Sequence, residues 1–153
     1  MIHHISLAAR NPQHVAEVIA QLWRGQAMPF PPVAEGSWVA AALDERNTLI
    51  EVYPFGAELH PADGDADARA VMNPQASRFS ASHAAVASPL EQAEVFAIAE
   101  REGWLAKYRK RGGQFGVIEL WIENSTMIEV LTPEMQREYL ALTPRFPPSR
   151  PAA

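Results

Sequence analysis

The chain of 153 residues predicts an α+β fold assembled from two βαβββ modules. A histidine and a glutamate recur at nearly equal spacing, with His4 47 residues before Glu51 and His83 46 residues before Glu129. Each pair encloses one stretch with helical periodicity and several short apolar stretches that alternate as strands do. Because the unit occurs only twice, it indicates a duplicated supersecondary module rather than a solenoid, which needs about three or more repeats.

The two copies share more sequence than this histidine and glutamate. The first copy ends in Thr-Leu-Ile-Glu-Val at Val52, and the second ends in Thr-Met-Ile-Glu-Val at Val130. Equivalent positions stay 77 to 79 residues apart throughout. This nearly constant offset favours duplication of one folding unit over a chance recurrence of single residues.

The first module is expected in residues 1–56. It begins with a strand over residues 2–8. Asn11 followed by Pro12 then predicts the start of a helix, since Asn caps helix N-termini and Pro is favoured in the first turn. The prolines after Met28 restrict the next strand to a sheet edge. Three strands complete the module: residues 28–33, 38–43 and 48–53.

The second module is expected in residues 80–132, and it repeats the same element order. Residues 57–79 are rich in Asp, Ala, Gly and Pro and predict a linker between the modules. Residues 133–153 predict a short helix followed by a proline-rich tail that is extended or disordered. The predicted elements of the second module are strands at 82–87, 104–109, 115–122 and 127–131, and a helix at 89–101.

Composition excludes several classes of function. A net charge of -5 and a pI near 5.5 argue against nucleic acid or an anionic membrane as a partner, because both bind basic surfaces. No apolar stretch is long enough for a membrane span, and no signal peptide is recognisable, so we expect a soluble, cytoplasmic protein. The sequence contains no cysteine, so any metal must be held by imidazole and carboxylate groups.

Strand alternation places the two repeated glutamates on a distinctive face. Ile50 and Val52 point to one side of their strand and Glu51 to the other, and Glu129 has the same setting. A carboxylate between apolar neighbours is costly to bury without a partner. Each residue alone also fits an interpretation without a metal site, as a surface or core histidine or a solvent-facing glutamate. Together the repeated residues predict one divalent metal site: His4, Glu51, His83 and Glu129.

This arrangement resembles the vicinal oxygen chelate superfamily, which includes glyoxalase I, extradiol dioxygenases and bleomycin-resistance proteins. The resemblance covers residues 2–131 and implies a curved, barrel-like mixed sheet around a metal-containing cavity, with the helices outside. It implies that the four residues hold one divalent ion, which would be Zn, Ni, Co, Mn or Fe. It also implies a homodimer, since modules of this family are often exchanged between two subunits.

The resemblance favours a lyase or isomerase that removes a proton next to a carbonyl group of a small oxygenated substrate. Glu51 or Glu129 would then act as the general base. Glutathione-dependent glyoxalases carry an arginine four residues after the first histidine and an asparagine four residues after the first glutamate. Those positions are Ala8 and Phe55 here, so we expect a substrate other than a glutathione conjugate.

Two other functions remain open from the sequence. An Fe(II) extradiol-type dioxygenase would need only His4, His83 and Glu129. A non-catalytic small-molecule binding protein of the bleomycin-resistance type would use the cavity without a metal. Metal content and oxygen uptake with catechols would separate these functions from the isomerase.

Four further residues are candidates for substrate binding. Tyr53 shares a strand face with Glu51, and Trp38 is a candidate wall of the pocket. Lys107 and Arg109 belong to a basic run that ends at Arg111 and is a candidate anchor for an anionic substrate group. The same run is more typical of a solvated hairpin.

Overall fold

The computed structural model describes residues 2–30 and 34–142. Each half has the predicted β-α-β-β-β order, which confirms the α+β fold class. The proline-rich tail and the end of the predicted strand at 28–33 lie outside the described residues. The elements are β1 (His4–Ala9), α1 (Pro12–Trp23), β2 (Gln26–Pro29), β3 (Trp38–Ala41), β4 (Leu49–Pro54), β5 (Ala57–His60), β6 (Arg69–Met72), β7 (Ala84–Ala87), α2 (Gln92–Glu102), β8 (Leu105–Arg111), β9 (Phe115–Ile122), β10 (Thr126–Leu131) and α3 (Pro133–Leu140).

The first sheet has the strand order β1-β4-β3-β2, with β1 parallel to β4 and the other neighbours antiparallel. Its register places Leu7 beside Val52, and both belong to the buried core that α1 covers. The next pair on the other face is Ser6 beside Glu51. Strand alternation therefore directs the glutamate away from the helix, as the sequence predicts.

The second sheet repeats this topology with the order β7-β10-β9-β8. Val86 lies beside Val130 on the buried side of the sheet, and Ala85 lies beside Glu129 on the other side. Glu119 of β9 lies beside Glu129 from the opposite strand. The two glutamates of the repeat thus occupy equivalent places in the two sheets.

The helices begin and end for local reasons. The side chain of Asn11 accepts a hydrogen bond from the backbone of His14, and Pro12 occupies the first turn, as predicted for α1. Helix α2 starts with a capping box between Glu91 and Glu94. It ends at Gly103, whose φ of 66° is a left-handed conformation that glycine adopts without strain.

The two halves share one hydrophobic core, with α1 close to α2. His14 Nε2 of α1 lies 2.5 Å from Glu102 Oε2 of α2. The hydroxyl of Ser88, just after β7, donates to the carbonyl oxygen of Leu22 in α1 at 2.5 Å. The carboxylate of Glu123 accepts hydrogen bonds from the backbone N–H groups of Arg10 and Asn11, just before α1. These polar contacts fix the first half against the second.

The sheets do not close into a barrel. Strands β1 and β7 are outer strands, and the described residues contain no ladder that joins them. The linker region contains a feature that the sequence analysis did not predict, a hairpin in which β5 pairs with β6. None of the helices in the described part of the chain is long and apolar enough to cross a membrane.

Candidate active site

Glu51 is a nearly buried carboxylate in the middle of β4, with 8% of its surface exposed. One of its oxygens, Oε2, accepts hydrogen bonds from the hydroxyls of Ser6 at 2.9 Å and Tyr53 at 3.0 Å. Both donors share the face of Glu51, Ser6 by strand register and Tyr53 by alternation along β4. Two hydroxyl donors compensate for lost water and fix the orientation of the carboxylate.

The other oxygen of Glu51 faces His4. The His4 Nε2 atom lies 3.8 Å from Glu51 Oε1, and 55% of the histidine side chain is exposed. The structure therefore brings together the two residues that the sequence assigns to the first half of the site. The histidine is accessible to a solute, and the glutamate lies behind it.

Burial, the hydrogen bond to Glu51 and the negative charge of that carboxylate together raise the pKa of Tyr53 to about 12. The phenol therefore keeps its proton across the physiological pH range. In this state it donates to Glu51, which is the arrangement that the geometry shows. Tyr53, predicted as a substrate contact, supports Glu51 in the structure and does not line the cavity described below.

Glu129 is held by a cation instead of hydroxyl groups. The Nε atom of Arg111 donates to Glu129 Oε1 at 3.0 Å, and the Nη2 atom of Arg111 also contacts this oxygen. The same Nη2 atom donates to Glu119 Oε1 at 2.9 Å. The pKa of Arg111 is raised by the hydrogen bond and charge of Glu129 and by the charge of Glu119, against the opposing effect of burial. One guanidinium group therefore bridges two carboxylates.

The sequence indicated Arg111 only as the end of a basic run that was a candidate substrate anchor, and it did not indicate Glu119 as a site residue. A signal was present in the alternation of β9, where Phe115, Val117, Glu119 and Trp121 share one face. The register places that face beside Glu129. Arg111 reaches the same face because β8 alternates through Lys107, Arg109 and Arg111 opposite β9.

His83 does not join the other predicted metal ligands. It lies before the start of β7, is exposed, and has its Nδ1 atom 3.0 Å from the carbonyl oxygen of Ala81. Within residues 2–30 and 34–142, no three His, Asp or Glu side chains are grouped so that they could hold a metal ion. Glu129 also has its charge neutralised by Arg111. The predicted set of four ligands therefore does not fit a metal within one chain.

The other predicted substrate contacts have different positions. Trp38 pairs with Val52, so it lies on the helix-facing side of the first sheet and packs against the core, away from Glu51. Lys107 and Arg109 are exposed on β8, on the face of Glu129. The Nε atom of Arg109 lies 3.9 Å from Glu119 Oε2.

A cavity of about 780 Å³ lies between the beginning of β1 and strand β7. Its volume is in the range of small-molecule sites, which is roughly 300–1,000 Å³. His3, His4 and His83 line it, whereas Glu51 and Glu129 do not. Apolar side chains form much of the rest of the wall, among them Trp23 and Val86. Of the four predicted ligands, the cavity thus brings together the two histidines.

No protein-family model matches the sequence, and no curated protein matches it. Solved structures with similar folds do exist. A genomically encoded fosfomycin resistance protein, FosX, from Listeria monocytogenes has a TM-score of 0.56 and 12% identity, over 90% of this chain and 97% of that chain. Lactoylglutathione lyase from Agrobacterium tumefaciens has a TM-score of 0.53 and 10% identity, over 88% and 94%. A protein described as of the glyoxalase family, from Bacillus anthracis, has a TM-score of 0.53 and 13% identity, over 85% and 92%.

Proposed function

We propose that this chain, which has the fold of the vicinal oxygen chelate superfamily, is a glyoxalase-like lyase or isomerase. It moves a proton next to a carbonyl group of a small oxygenated substrate, and the His4–Glu51 pair handles the proton. The observation that carries the proposal is the position of this pair. His4 lines a cavity of suitable size, and a nearly buried carboxylate lies 3.8 Å behind its ring.

The arrangement of the pair suits general acid–base chemistry. Histidine changes charge near neutral pH, so its neutral ring accepts a proton and its charged ring returns it. With the Nε2 proton directed toward Glu51, the Nδ1 atom of His4 keeps a lone pair for the substrate. The carboxylate then stabilises the imidazolium that forms, and Ser6 and Tyr53 keep the carboxylate in place.

The proposed reaction needs no further reactant. A carbon next to the substrate carbonyl loses its proton to His4, and the electron pair of the C–H bond moves into the carbonyl group to give an enolate. In an α-hydroxycarbonyl substrate, the hydroxyl proton on the first carbon then passes to the enolate oxygen. A carbonyl group forms at the first carbon as the imidazolium of His4 returns its proton to the former carbonyl carbon. The product is an isomer of the substrate, and His4 and Glu51 recover their starting states.

The proposed step uses the two predicted ligands that one chain brings together, His4 and Glu51. A metal ion at this pair stays a prediction. In the predicted homodimer, the second sheet of another copy would face the His4–Glu51 pair. We keep the homodimer as part of the proposal. Light scattering after size-exclusion chromatography measures the oligomeric state, and a mass near one chain would remove the homodimer from the proposal.

Exchange of substrate hydrogen for deuterium tests the proposed reaction directly. The protein is incubated in D₂O with small hydroxycarbonyl compounds and enolisable acids, and NMR follows loss of the C–H signal. His4→Gln should lower the exchange rate about 100-fold or more, since a positioned base contributes about 10²–10⁴-fold. His3→Gln is the matched control, because His3 lines the same cavity and bonds to Arg46 instead of Glu51.

Simple binding of a small molecule is the second candidate function. It is favoured by one observation, that neither predicted glutamate lines the cavity. In that case a compound would bind to wild type and His4→Gln with no exchange above the rate in buffer. No contact in the described residues favours the dioxygenase, which needs Glu129 together with both histidines.

A further inference from the structure

We infer that Arg111 takes the place of a cation at the second sheet, so that the Glu119–Glu129 pair is closed to divalent metal ions. Glu129 would then be a partner of an internal guanidinium group instead of a metal ligand. This inference goes beyond the proposed function and does not depend on it. It concerns the charge balance of the second sheet alone.

Arg111 contacts both carboxylates of the second sheet. Arg111 directs two nitrogens at Glu129 and shares one of them with Glu119. The side chains of Glu119 and Glu129 are only 15% and 11% exposed, whereas that of Arg111 is 39% exposed. The cation therefore covers the carboxylates from the solvent side. An incoming metal ion would have to displace it.

The second sheet must neutralise the negative charge of two adjacent glutamates. Glu119 and Glu129 are direct neighbours on adjacent strands, and two carboxylates at this distance repel each other. A divalent ion or a guanidinium group placed between the two carboxylates would relieve this repulsion. Arginine keeps its charge at all ordinary pH values and has a fork of donors that matches carboxylates. The second sheet therefore needs no added ion.

The hairpin of β8 and β9 positions Arg111. It is the last residue of β8, and it lies beside Phe115, the first residue of β9. Gly112, Gly113 and Gln114 form the turn between them, and the two glycines have φ values of 54° and 71° that favour glycine. This tight turn holds the guanidinium group over the neighbouring strands, so the ion pair follows from the hairpin.

Titration with Co²⁺, followed by calorimetry and by visible absorbance, tests this inference in the absence of any substrate. Glu129→Gln should bind Co²⁺ as wild type does, within about twofold. Arg111→Gln exposes both carboxylates and should bind Co²⁺ about tenfold more tightly or better, where tenfold corresponds to about 1.4 kcal/mol. Adding Glu129→Gln to Arg111→Gln should abolish that gain.

Arg109→Gln is the matched control, because Arg109 lies on the same strand and face and, of the two carboxylates, contacts Glu119 alone, at 3.9 Å. It should leave Co²⁺ binding unchanged. If Arg111→Gln does not fold, as judged by circular dichroism, the comparison of wild type with Glu129→Gln decides alone. A tenfold loss of Co²⁺ affinity in Glu129→Gln, or no gain in folded Arg111→Gln, would overturn the inference. Neither result bears on deuterium exchange at His4.

Discussion

The two sheets carry a glutamate at equivalent positions and stabilise it by different chemistry. Glu51 accepts hydrogen bonds from two neutral hydroxyls, whereas Glu129 is paired with the guanidinium of Arg111. Both are nearly buried, at 8% and 9% exposure, so each needs compensation for lost water. The two sheets thus share the place of the carboxylate but not its partner.

The neighbours of the two glutamates explain this difference. The residue beside Glu51 on the parallel strand is Ser6, and the residue beside Glu129 is Ala85, which has no hydroxyl to donate. On the antiparallel side, Glu51 has the apolar Val39 and Glu129 has a second carboxylate. The first sheet therefore leaves a single anion next to His4, and the second requires a cation.

The largest expected effect on stability comes from removing that cation. Arg111→Gln leaves two neighbouring carboxylates without their shared partner and should lower the free energy of unfolding by about 2 kcal/mol, less than for a fully buried pair because Arg111 is part exposed. Urea unfolding measures the change. Arg109→Gln, which removes the same charge from the same face, should cost under about 0.5 kcal/mol. Equal losses would mean that net charge matters and the contact does not.

Removing the phenol from the first sheet should have a smaller effect. Tyr53→Phe deletes one of two hydrogen bonds to Glu51 and should lower the free energy of unfolding by about 1 kcal/mol. Ser6→Ala removes the other donor, which lies on a more exposed residue, and should cost less. Urea unfolding of both variants and the double variant checks the order. A larger loss for Ser6→Ala would contradict it.

The pKa of Tyr53 predicts a pH dependence that belongs to the first sheet. Its pKa is raised from 10.0 to about 12 by burial and by Glu51, so the folded chain holds this proton more tightly than the unfolded chain. The stabilisation is complete below pH 10 and is lost as the pH rises from 10.0 toward about 12. Absorbance near 295 nm should show one of the three tyrosines ionising late. Tyr53→Phe should lack that late step.

The smallest effect is expected when the hydroxyl partner of the first sheet's glutamate is copied into the second sheet. Ala85→Ser places a hydroxyl beside Glu129, where Ser6 lies beside Glu51. On its own it should change the free energy of unfolding by only a few tenths of a kcal/mol, because Arg111 already satisfies the carboxylate. In Arg111→Gln it should restore about 0.5 kcal/mol. Urea unfolding of the double variant measures the restoration.

The sequence predicted much of this comparison and missed its central contact. The alternation around Glu51 and Glu129 correctly predicted that both face away from the helices, because strand parity depends on local sequence. The contact of Arg111 depends on the register of β8 against β9, which the turn at Gly112 and Gly113 sets. A pattern search for metal ligands passes over an arginine, so the sequence did not reveal the ion pair.

Two other features could not be predicted from local patterns. The hairpin of β5 and β6 lies in a segment rich in Asp, Ala, Gly and Pro, whose composition favours a linker over strands. The direction of Trp38 depends on where β3 pairs with β4, and a shift of one residue would have placed it beside Glu51's face. The roles of His4, Glu51 and His83 as metal ligands remain a prediction, whereas the inference about Arg111 replaces that role for Glu129.

The central claim is that the two glutamates of the repeat are not equivalent, and one measurement tests it most directly. Deuterium exchange of the best substrate is compared between Glu51→Gln and Glu129→Gln, with circular dichroism confirming that both are folded. We expect that Glu51→Gln lowers kcat/KM for exchange by about 100-fold or more, whereas Glu129→Gln stays within about threefold of wild type. Equal losses in the two variants would contradict it.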